Sequence, residues 1–186
     1  MMERMMGMRT LVYIPRMFSK NEFRNLVNFV PDNFDDAAHE FWSYVNERLI
    51  AMANRIQHLY SDLSNLSQKN ISEYEKDIVT RLIDHGATLA HIENPMLMAE
   101  AHAWLKMMEK SSIPVLAEMY LACVQEIHRQ VVHMIDNSLL DGEMGVLFVD
   151  SQLQISFPNS IRVIRMFPFN PQDYIKRHRV KRQSRS

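Results

Sequence analysis

Short β-branched runs and longer stretches with an apolar residue at every third or fourth position take turns along this chain. Thr10-Leu11-Val12-Tyr13-Ile14, stopped by Pro15, predicts a buried strand. A helix is expected from about Asp35, where Ala38, Phe41, Trp42, Val45, Leu49 and Met52 recur at helical spacing. Residues 55–60 fit either a continuation of that helix or a second strand, closed by the polar run from Ser61. Ser72 with Glu75 three residues on has the form of a capping box, and Ile78, Val79, Leu82 and Ile83 carry its helix to Gly86. Ala87 to Ile92 predicts a third strand. Asn94-Pro95 and Ser112 with Pro114 open two more helices, the second with a stripe from Leu116 to Leu139. Gly145 to Val149 and Ile161 to Phe167 complete five strands.

Strands separated by helices imply a parallel sheet with covered faces. The expected fold is therefore α/β, a three-layer domain with a mostly parallel sheet of about five strands flanked by helices. Were the segments near 55–60 and 87–92 helical instead, the result would be α+β, a helical bundle with a small sheet. One domain over residues 1–175 is expected, followed by a basic, flexible tail over 176–186.

Composition narrows the function classes. The chain has 186 residues, 47% apolar and 23% charged, which excludes disorder and a disulfide scaffold. A lone cysteine, Cys123, and the lack of a long apolar run lead to the expectation of a cytoplasmic protein without a membrane span. The net charge of −1 hides an asymmetry: residues 176–186 hold six basic residues and no acid, leaving 15 basic against 22 acidic residues in the body, or −7. The acidic body argues against a broad nucleic-acid face, and an anionic partner is expected only at the tail, through Lys176, Arg177, Arg179, Lys181 and Arg182. No Walker loop, G-x-G-x-x-G, G-x-S-x-G, C-x-x-C or H-x-x-x-H occurs, so neither a cofactor nor a metal ion is expected.

In an open parallel sheet, ligands bind beyond the carboxyl ends of the strands. Those ends carry Arg16, Asp62, Glu93, Asp150 and Gln152, which together with Arg129 of the long helix are the expected ligand-binding residues. Each by itself suits a turn or cap, and their meeting in one crevice is what would make them a site. Glu126, Arg129 and His133 share one face of the long helix, as a surface ion-pair row does.

Leu11-Val12-Tyr13-Ile14-Pro15-Arg16-Met17-Phe18, then Arg129-Gln130, then Val146-Leu147-Phe148-Val149-Asp150-Ser151-Gln152-Leu153 together resemble, in layout over most of the chain, the TraB/TIKI and erythromycin-esterase/ChaN-like superfamily. Its members have an N-terminal strand leading to a histidine, a helix bearing an arginine, and a late strand ending in G-x-x-H. Here Phe18 stands at the first histidine position and Asp150-Ser151-Gln152-Leu153 at the second motif. Arg129 would carry over, with Glu93 as an accompanying acid. The resemblance thus implies a degenerate member, keeping a small-ligand or hydrolase-like pocket without the metal histidines. The alternative function is a non-catalytic interaction or homo-oligomeric module, with Trp42, Trp104, Met107 and Met108 at the interface and the basic tail on an anionic partner.

Overall fold

Why the strands form where they do is visible in their burial. The computed structural model describes residues 7–61, 72–92, 94–150 and 155–183. Strand β1 (Arg9–Pro15) and strand β4 (Met144–Val149) lie inside the sheet, and β4 is buried along its whole length. Strands β2 (His58–Ser61), β3 (Thr88–His91) and β5 (Ile161–Arg165) complete an all-parallel sheet in the order β3-β2-β4-β1-β5. Continuous apolar runs are what a strand covered on both faces requires. The α/β expectation is met, and the two segments left open between helix and strand are β2 and β3.

Alternate residues of β1 point to opposite layers. Val12 and Ile14 join a core with helices α1 (Lys20–Val27), α2 (Phe34–Ala51), α3 (Glu73–Asp84) and α6 (Pro171–Gln183). Leu11 and Tyr13 join the opposite core with α4 (Pro95–Lys110) and α5 (Pro114–Ser138). Trp42, 2% exposed, belongs to the first core and is no part of a partner surface. Gly145 lets Tyr60 lie against β4: a Cβ there would meet the Tyr60 ring at 2.7 Å.

Several local expectations are corrected. Helix α1 lies between the first strand and the helix expected from Asp35, where no element is expected, and there the full capping box occurs: Ser19 accepts from Glu22 N while Glu22 accepts from Ser19 N. Helix α5 starts without a side-chain cap, its N-cap being Ile113 rather than Ser112. The basic run from Lys176 is the continuation of helix α6, which extends through Gln183. Among the described residues, no helix is long and apolar enough to cross a membrane.

Candidate functional site at the carboxyl edge of the sheet

The chain leaves β1 toward α1 and α2 on one face, and leaves the neighbouring β4 toward Ile155 on the other. Adjacent strands whose connections part in this way open a crevice at their carboxyl ends. Arg16 stands at that point, and its backbone N–H donates to Val149 O at 2.8 Å, tying the ends of β1 and β4 together.

From there the Arg16 side chain reaches across to the first face. Its Nε donates to Glu75 Oε1 at 2.7 Å and its Nη2 to Ser61 Oγ at 3.0 Å. Ser61 ends β2 and Glu75 sits in the first turn of α3; both are fully buried, whereas the Arg16 side chain keeps 17% exposure. Three separate elements thus converge on one guanidinium. Burial pushes the Glu75 carboxyl up, Arg16 opposes that, and Glu22 adds to it. The helix N-terminus around Glu75 favours a negative charge there as well.

A second polar group occupies the same edge on the opposite layer. Burial raises the Tyr13 hydroxyl, Arg165 at the end of β5 opposes the shift, and Asp150 just past β4 reinforces it. The Arg165 guanidinium carbon lies 6.0 Å from the Tyr13 ring centre, at the outer limit of a cation–π contact. Asp150 is half-buried. Arg16 and Asp150 are therefore both at this edge, as the sequence suggests.

The other expected residues fall elsewhere or outside view. Asp62, Glu93 and Gln152 lie outside the described residues. Arg129 is on the solvent side of α5, where its Nε donates to Glu126 Oε2 at 2.9 Å, and it lines a separate cleft with His128 and His133. It is not one of the groups around Arg16.

Sequence reasoning missed Glu75, Tyr13 and Arg165. Glu75 was hidden by the cap motif: Ser72 Oγ does accept from its N–H, at 3.4 Å, but the carboxylate turns inward to Arg16 instead of back to the cap. A usable signal existed, because Glu75 shares a helical face with Ile78, Val79 and Leu82, all buried. An acid within an apolar stripe needs a buried partner.

Compared with known protein families, with curated proteins and with solved structures, the chain has no match.

Proposed function

We propose that this protein binds a small polar ligand at the carboxyl edge of its sheet, with Arg16 as the anchoring cation and Asp150 at the flank. The observation that carries the reading is the buried Arg16–Glu75–Ser61 cluster at the parting of β1 and β4. Stability alone gives no reason for it, because an apolar replacement of a buried ion pair is often neutral or stabilising. Charged groups buried at a crevice with a shifted carboxyl are the usual furniture of binding and catalytic sites. Kinship with the TraB/TIKI and ChaN-like proteins is part of the same proposal, with the pocket kept and the family's histidines replaced.

A panel of nucleotides, sugar phosphates and organic acids, screened by thermal shift and mapped by amide NMR, tests this. The expected hit raises the melting temperature and moves amides at Arg16, Ser61, Glu75 and Asp150. Arg16→Lys removes the effect, since an ammonium does not reproduce a forked guanidinium contact. A hit that maps to α5, or one indifferent to Arg16→Lys, contradicts the reading.

A second reading rests on a different observation. Leu105, Met107, Ile113, Val115 and Met119, on α4, α5 and their junction, are exposed. Such a set suits a partner or self-association surface. Light scattering over a wide concentration range decides it: mass rising with concentration supports the interaction module, a constant monomer mass rejects self-association. On that reading, α6 with Lys176, Arg177, Arg179, Lys181 and Arg182 meets an anionic partner, in a contact that weakens steeply with salt.

A further inference from the structure

Helix α6 changes character halfway along. Its first two turns dock on the body: Tyr174 and Ile175 are buried in the first core, and the His178 ring lies 4.5 Å from Tyr174 and 5.8 Å from Phe23. Residues 171, 174, 175 and 178 form the docked stripe, at the three- and four-residue spacing of one helix face. The next positions of that stripe are 181 and 182, and they are Lys and Arg, which an apolar core does not take. The docked face therefore ends at His178, while the helix runs on to Gln183.

Five cations stand on this half of the helix, at positions 176, 177, 179, 181 and 182. At about 100° per residue these positions are distributed around the whole axis, with no gap wider than about 100°. Asp173 is the one acid in the helix. Lys176 Nζ lies 3.8 Å from its Oδ1 with both side chains exposed, a pair that water and salt screen. Arg177 Nε donates to the Asp173 backbone carbonyl at 3.3 Å, a contact that neutralises no charge. A helix C-terminus favours cations in its last turn, which accounts for Lys181 and Arg182 but not for charge on every side.

A flat anionic membrane would meet one side of such a helix, and with Tyr174 and Ile175 held in the core no apolar face is left to insert. Single strands are held by stacking bases on aromatic rings. Residues 176–183 contain no Phe, Tyr or Trp, and the His178 ring is packed against Phe23 and Phe29. Phosphates on both sides of one helix are what a duplex groove offers. An α-helix with its side chains is about 10–12 Å across and the major groove of B-DNA about 12 Å wide, whereas that of A-form RNA is deep and narrow. We infer that the half of α6 beyond the docked stripe binds double-stranded DNA in the major groove, as a sequence-independent contact of its five cations with the phosphates of both walls. This rests on the reading of α6 as the contact with an anionic partner, and commits it to one partner. The body, at −7 outside residues 176–186, repels the same phosphates and confines the contact to α6.

The test is fluorescence anisotropy of a short labelled DNA duplex titrated with the full chain, repeated across about 50–200 mM salt. Log affinity is expected to fall against log salt with a slope of about −4, as four to five neutralised phosphates give. The triple change Arg179→Gln, Lys181→Gln and Arg182→Gln, past the docked stripe, is expected to keep the melting temperature and flatten the slope by about 3, one unit per cation. Lys176→Gln with Arg177→Gln, both at exposed positions, is an independent variant expected to flatten it by about 2. A slope unchanged in both variants overturns the proposal, as does an RNA duplex or a single strand bound more tightly than the DNA duplex. Vesicles rich in phosphatidylserine that bind as tightly as DNA overturn it too, while leaving α6 an anion-binding helix; with no binding to duplex or vesicle, both readings fail.

Discussion

Two arginine–glutamate pairs among the described residues have opposite character. Arg16 and Glu75 meet at 2.7 Å with Glu75 fully buried, and burial outweighs the arginine, so the carboxyl is pushed up. Arg129 and Glu126 meet one turn apart on the outside of α5, and there hydrogen bonds from Gln130 and Arg129 pull the carboxyl down. The same two residue types thus act oppositely on a proton, because only one pair has lost its water. An exposed pair of this kind adds little to stability, while breaking a buried one strands a charge. The difference separates a structural surface row from a site candidate more clearly than charge or spacing does.

The largest test of that contrast is to remove each arginine in turn. Arg16→Ala leaves Glu75 buried without its cation and is expected to cost about 3–5 kcal/mol in urea unfolding. Arg129→Ala is expected to leave the midpoint unchanged. Equal effects would break the comparison. Next in size is the double change Arg16→Met with Glu75→Leu, which removes both charges and should recover most of the loss, because well-packed apolar groups of similar volume replace a buried pair at little cost. Failure to recover would mean that Arg16 supports the fold by contacts other than the pair. Smaller still, Ser72→Ala deletes the cap of α3 and is expected to cost about 1 kcal/mol. It should also disturb the signals of Glu75 and Arg16; a stability loss with those signals unmoved would detach the cap from the site.

What could be read in the sequence follows from the same physics. Strands such as Val146 to Val149 and helices such as α2 declare themselves by period, because burial of a face is written in consecutive residues. The placement of Arg16 at a strand end was legible for that reason. Glu75 was not, since its role depends on a partner 59 residues away, and its neighbour Ser72 offers a local explanation that is half correct. Helix α6 was missed because its charge suggested solvent, whereas Tyr174 and Ile175 bury one side of it against the first core. Trp42 and Trp104 look alike in sequence, yet one fills the core and the other is half-buried with its Nε1 on Glu100 at 3.1 Å.

The most direct measurement is a carbon-detected NMR titration of the side-chain carboxyls of Glu75 and Glu126 in the folded protein. Glu75, raised, contributes stability that is full below the pKa of the unfolded carboxyl and is lost as pH rises through its folded value. Glu126, lowered, contributes stability present above the unfolded value and lost as pH falls through its folded one. Glu75 is expected to protonate above the ordinary glutamate range and Glu126 below it. Glu75 titrating at or below that range, or together with Glu126, would contradict the claim that a buried, water-poor charge cluster stands at the carboxyl edge.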